Sequence, residues 1–488
     1  MMSSLLIKKI AQKIAVDYCS ISIVENPDGF LTQDVVRNLL YQECAIKVIA
    51  GSNLQLRIHF ELNQNTETSG KTIYISKPSS PILADIKRNA YCCRFIISEL
   101  FPMFADKSLV RKQPYEVLEV LYERAGTRRV SMPECISLIH SIVQELEDRK
   151  RMSAEFFKEQ LTNIEIDWNN QSSTISTVSR ILAKSIKADV YDGLATAIDG
   201  INAKFQKWID EEYFATLRSN PLLKPKSVNN ILPFLVDNYS KDDKVALLVI
   251  DGLTYWQYTI LKDYLATKDF KIKDDCTLAW LPSITMLSRQ AIFRGSDPLQ
   301  DYKQNPENEK KLWFEFWKQH GFGTYEIQYL YDNQEFAINE GVKRLAVVTV
   351  EMDEKMHSST DYKDLSSLTE NWCPRISKEI ETIVNAGYKL YLTTDHGSVL
   401  SQGWRSLNQV EKVFLYKDGS RGARHLIYNN GDEQNRFYNQ NTDLPMLMHN
   451  NWISIRDNHC FAKEFTTIIT HGGSHFLEVV IPFIKIER

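Results

Sequence analysis

Apolar spacing changes character along the chain. From about residue 236 onward, short aliphatic runs alternate with amphipathic stretches. Val245–Ile250 is an unbroken aliphatic run, as a strand buried on both faces requires. Residues 345–350 repeat it, and residues 325–331 and Lys389–Thr393 are weaker versions. Between them, Tyr255–Leu265, 312–320 and 375–386 carry apolar residues three and four apart and predict helices. Such alternation predicts an α/β fold, a mainly parallel sheet flanked by helices on both sides, and ligands in such folds sit beyond the carboxyl ends of the strands. From 106 to 235 the helical period dominates, over 115–125, 132–159, 174–186 and 191–210. Residues 1–105 are mixed. A partly alternating stretch at 18–24 runs into the turn cluster Asn26-Pro27-Asp28-Gly29, and a helix is predicted over 32–43. Residues 54–62 alternate and predict a strand, joined through a polar hairpin loop at 63–71 to a second at 72–76. The expected organisation is therefore a small α/β domain (1–105), a helical domain (106–235) and a larger α/β domain (236–488).

Composition narrows this only a little. Hydrophobic content of 43% and charged content of 25% fit a soluble globular chain with a sizeable core. A formal net charge of −4 gives no global basic field, so any grip on nucleic acid must come from a local patch. The eight cysteines form no C-x-x-C pair, which argues against a thiolate metal site and for reduced thiols. The first 15 residues lack the apolar core of a signal peptide, and no run approaches the ~20 apolar residues of a membrane span. A cytoplasmic chain without membrane association is expected. Ser69-Gly70-Lys71-Thr72 resembles the tail of a phosphate-binding loop, but Asn65 stands where that loop needs glycine.

The chemistry-bearing residues lie mostly where predicted strands end. Asp251 follows Val245–Ile250 and precedes Gly252, which permits close backbone approach. Asp395-His396-Gly397 follows Lys389–Thr393 and offers an oxygen and a nitrogen ligand side by side. Asp353 and His357 are four apart, so one helical turn puts both on one face. His471 sits in Thr470-His471-Gly472-Gly473, with His475 as its rival. Thr285 stands at the start of a predicted helix, where backbone N–H groups favour an anion; Ser283 and Ser288 are rival hydroxyls. Arg289, one turn on, is a candidate phosphate clamp, and Arg421 and Arg424 lie in a basic, glycine-containing loop. Singly, each has an ordinary explanation as turn, cap, core histidine or solvated charge. Jointly they share one end of one predicted sheet.

These stretches resemble the PglZ domain, a branch of the alkaline phosphatase superfamily. The likeness covers about 240–488 and rests on Leu247 to Leu253, Leu281-Pro282-Ser283-Ile284-Thr285, Thr393 to Gly397 and Thr470 to Gly473, continuing to Glu478 and Pro482. The resemblance implies an alkaline-phosphatase-like fold. It implies one metal held by Asp353, His357 and His471, and a second by Asp251, Asp395 and His396, with Thr285 facing both. Two divalent ions are implied, zinc first, with manganese or magnesium as alternatives. It also implies bacterial phage defence of the BREX type and other defence-system proteins as partners.

The expected activity is a two-metal phosphoesterase, a phosphodiesterase or nuclease, with Thr285 as nucleophile and a nucleic acid or nucleotide as substrate. The alternatives are a phosphomonoesterase acting on a small metabolite, or a scaffold whose metal pocket is structural.

Overall fold

The computed structural model describes residues 4–63, 70–77, 80, 83–125, 129–218, 224–299, 301–332, 336–416 and 423–488. The chain divides into two compact units, Met1–Arg149 and Lys150–Arg488. The division falls inside the helix Met132–Thr162, so the helices read at 106–235 are shared between the two units.

The first unit carries a four-stranded sheet in the order Ile46–Ile49, Lys71–Ile75, Ile21–Glu25, Tyr91–Arg94, parallel throughout. Parallel neighbours need a crossover, and Asn53–Asn63 supplies it as a helix. This corrects the strand and hairpin expected at 54–76. Alternation at every second position also places every fourth residue on one helical face. Here Leu56 is buried while Leu54, Ile58 and Leu62 are exposed. Lys71 opens a strand and pairs with Asp17, so the phosphate-loop likeness has no strand-to-helix setting; Ser69 and Asn65 lie outside the described residues.

The second unit is built on a seven-stranded sheet. Its core strands are β1 (Val245–Ile250), β2 (Ile327–Tyr331), β3 (Arg344–Thr349), β4 (Lys389–Thr393) and β5 (Val480–Glu487). β4, β1, β3 and β2 run parallel side by side, and β5 joins β4 antiparallel. Alternation sends Ala246, Leu248 and Ile250 into one apolar layer with the helices Gln171–Lys187, Tyr255–Leu265 and Tyr362–Asn385. Val245, Leu247 and Val249 enter the opposite layer with Ile231–Asn238, α1 (Thr285–Arg294) and α2 (Pro306–Gln319). Each such fully buried aliphatic side chain contributes about 1.5–3 kcal/mol, so β1 is the anchor from which the site residues are hung. Among the described residues no helix is long and apolar enough to cross a membrane.

Candidate metal centre

Every candidate ligand is delivered at the carboxyl end of this sheet or beside it. Asp251 directly follows β1, and its N–H donates to Thr349 O at 2.9 Å, continuing the ladder with β3. Beyond β3 the chain turns into the short helix α3 (Glu351–Ser358), which carries Asp353 and His357. Asp395 and His396 follow β4, Thr285 is the first residue of α1, and His471 follows the strand Thr467–Thr470. Gly252 has φ +73°, and a Cβ there would lie 3.2 Å from Asp353 Oδ1, so glycine lets the two acidic loops close on each other.

Two groups of potential ligands result: Asp251, Asp395 and His396, and Asp353, His396 and His471, with ligand atoms in each within 4.8 Å of one another. Three buried carboxylate oxygens, Asp251 Oδ1, Asp353 Oδ1 and Asp395 Oδ2, have no hydrogen-bond partner. Buried charged oxygens left in this state are costly unless a cation takes them, so the donor set fits divalent metal ions. Burial and crowding also raise the affinity of these carboxylates for protons. Burial, then Asp395, pushes the Asp251 carboxyl up to about 7; burial, then Asp251, pushes Asp353 up to about 6; burial is the main cause for Asp395, also raised to about 6.

The histidines are oriented from behind. His396 Nδ1 lies 3.0 Å from Gly397 O and His471 Nδ1 lies 3.1 Å from Ser283 O. A carbonyl only accepts, so each Nδ1 carries the proton and each Nε2 keeps its lone pair toward the centre. The two rings stack at 3.8 Å, and burial holds His471 well below the usual imidazole range, in the neutral form a metal needs. Thr285 Oγ1 stands 3.0 Å from His396 Nε2. His357 is at the rim. It lies outside both groups, with Nε2 3.5 Å from Asp353 Oδ2 and its side chain 55% exposed. The expected partition thus meets two differences: His396 faces both groups, and His357 borders the one it was assigned to.

The sequence family described as the BREX system PglZ alkaline phosphatase-like domain matches residues 233–486, just over half of the chain. The chain belongs to this family. No curated protein matches the sequence. Among solved structures, murine ectonucleotide pyrophosphatase/phosphodiesterase 5 is similar over 50% of this chain and 88% of its own length, at 12% identity and a TM-score of 0.35. The phosphonoacetate hydrolase of Sinorhizobium meliloti 1021 is similar over 50% and 89%, at 10% identity and a TM-score of 0.34. PglZ membership supports a phosphoester hydrolase.

Three supports hold the centre, two inside the PglZ domain and one, Tyr213, ahead of it. Ser283 Oγ donates to Gly473 O at 2.7 Å and accepts from Gly472 N at 3.2 Å, tying the Thr285 loop to the His471 loop. A π-helical turn, Ile209–Tyr213, sets Tyr213 beneath the approach to α1, where its hydroxyl donates to Ala279 O at 2.8 Å and accepts from Leu281 N at 3.0 Å. Arg424, fully buried, donates to both oxygens of Glu478 at 3.0 Å, and Glu478 Oε1 accepts from Gly473 N at 2.8 Å.

Several of the rival residues have structural partners of their own. Ser283 is a tether, and Ser288 Oγ accepts from Trp280 N at 3.0 Å. His475 caps the helix Phe476–Val479, with Nδ1 accepting from Leu477 N. Arg424 is a structural cation, not a surface one, and Arg421 lies outside the described residues. Arg289 is buried as well, with Nη1 on Asp251 Oδ2 at 2.7 Å and Nη2 on Glu309. Arg289, expected as a phosphate clamp, thus has both terminal nitrogens on carboxylates, while its Nε has no hydrogen-bond partner. Glu309 and Tyr329, which complete that cluster, were not singled out from the sequence.

Proposed function

We propose that this chain is a two-metal-dependent phosphoesterase whose nucleophile is Thr285. The preferred substrate is a phosphodiester, a nucleic acid or a nucleotide derived from one. The setting is cytoplasmic phage defence alongside other defence-system proteins. The observation that carries the reading is the convergence of three orphaned carboxylate oxygens and two imidazole lone pairs, with the Thr285 hydroxyl 3.0 Å from one of those imidazoles. Asp251, Asp395 and His396 would hold one ion, and Asp353, His471 and His357 the other, with Thr285 facing both. Zinc suits this nitrogen and oxygen set best, with manganese or magnesium as alternatives. When bound, the ions would screen the phosphate's charge and lower the pKa of the Thr285 hydroxyl.

The chain's own residues do the rest. The first turn of α1 would offer its remaining backbone N–H groups to an anion beside Thr285. Thr285 gives up its hydroxyl proton to solvent as Oγ attacks phosphorus in line, the bond from phosphorus to the ester oxygen breaks, the leaving oxygen takes a proton from solvent, and a phosphothreonine forms. Water then attacks from the side the leaving group vacated and releases Thr285. The test is hydrolysis of bis-p-nitrophenyl phosphate by metal-stripped protein resupplied with zinc, manganese or magnesium, beside Thr285→Ala. Metal-restored turnover that vanishes in the variant is expected. Turnover on p-nitrophenyl phosphate alone would replace the diesterase by a monoesterase. Full activity of the variant would sink the nucleophile assignment.

A further inference from the structure

Asp251 reaches the centre with one oxygen already engaged. Arg289 donates to Oδ2 at 2.7 Å, while Oδ1 is buried and has no hydrogen-bond partner. Behind Arg289 lies Glu309, with no exposed surface. Its Oε1 and Oε2 lie 2.7 and 2.8 Å from Arg289 Nη2, Tyr329 OH donates to it at 2.7 Å, and Gln304 Nε2 donates to Oε1. The cluster draws on the end of β1, on α1, on α2 and on β2, so it is assembled by the fold and not by one local turn.

Charge makes the arrangement informative. Arginine stays protonated even when buried, and a fixed cation beside Asp251 repels any metal ion arriving on the other side. Glu309 offsets that cation. Its hydrogen bonds to Tyr329 and Gln304 fix where the offsetting charge sits, and Arg289 transmits the position to Asp251. We propose that Glu309 is a positioning residue for the metal centre. Through Arg289 it keeps Asp251 a one-oxygen ligand and offsets the arginine's repulsion of the ion held by Asp251, Asp395 and His396. The proposal rests on the reading of those three as ligands. Glu309 itself is bonded to Arg289, Tyr329 and Gln304 and to none of the proposed ligands.

A purely structural ion pair would behave differently, because losing it would weaken the whole unit and both metal equivalents alike. The experiment is a titration of the full-length, metal-stripped chain with zinc against a chromophoric chelator, for wild type, Asp251→Asn, Glu309→Gln and Tyr329→Phe. Asp251→Asn identifies the equivalent in question. Glu309→Gln is expected to weaken that same equivalent about ten- to a hundred-fold, leaving the other unchanged. Tyr329→Phe, which leaves the ion pair intact, is expected to weaken it by a smaller factor and carries the test if Glu309→Gln fails to fold. Equal loss at both equivalents, or no change in either, overturns the proposal while the ligand assignment stands. Two unchanged equivalents in Asp251→Asn would instead overturn the ligand assignment, and the proposal with it.

Discussion

At the scale of single residues, the centre is a problem of unneutralised charge. Asp251, Asp353 and Asp395 crowd together with one nearby guanidinium, and each leaves an oxygen unbonded. Asp251→Ala and His396→Ala are expected to abolish metal-dependent turnover with the circular dichroism spectrum unchanged; His357→Ala, at the rim, should lose less activity than either. Retention of full activity by Asp251→Ala would remove the metal reading. The acidic residues were legible in the sequence because each follows an aliphatic strand, as does the adjacent His396. His471 was legible from its paired glycines. Glu309 was not. A glutamate in the first turn of an amphipathic helix is an ordinary finding, and no local pattern couples it to an arginine on a neighbouring helix.

At the scale of elements, the loops bearing the ligands are held by close approach. A Cβ on Gly473 would meet Arg424 Nη2 and come within 2.6 Å of both Glu478 Oε2 and Ile455 O. Gly473→Ala is expected to destabilise the protein by about 1–3 kcal/mol, read from denaturant unfolding. Tyr213→Phe removes both hydrogen bonds to the 279–281 segment. Its expected signature is a lowered kcat with bound metal retained, since the segment leads into α1 and Thr285. The strands and helices around these loops were readable because β1 and its neighbours are unbroken apolar runs. Residues 54–62 misled for a physical reason: five apolar residues at alternate positions satisfy a strand face and, taken every fourth, a helix face as well. Only the parallel pairing of Ile46–Ile49 with Lys71–Ile75 decides between them.

At the scale of the whole molecule, pH and metal act through the same carboxylates. A carboxyl whose folded pKa is raised binds protons more tightly when folded. Its contribution to stability is full below the unfolded value of about 4 and is lost as pH rises through the folded value. For Asp353, Asp395 and Asp251 that loss falls at about 6, 6 and 7. Metal-stripped protein is therefore expected to melt lower at pH 8 than at pH 5.5, and added zinc should remove the difference. Asp243, pulled down to about 2 by Lys389 and then Ser240, works in the opposite sense, but only in far more acidic solution. A stripped protein that melts at the same temperature throughout this window would contradict the crowding argument.

The order of the sheet bears on when the site exists at all. β5, residues 480–487, lies inside the sheet between Lys271–Lys273 and β4, and His471 comes nine residues before it. A ribosome making this chain has laid down Asp251, Thr285, Asp353 and Asp395 well before it reaches either. The growing polypeptide thus carries most of its reactive groups around the message that encodes it, yet lacks an interior strand and a ligand until the end of this stretch is out.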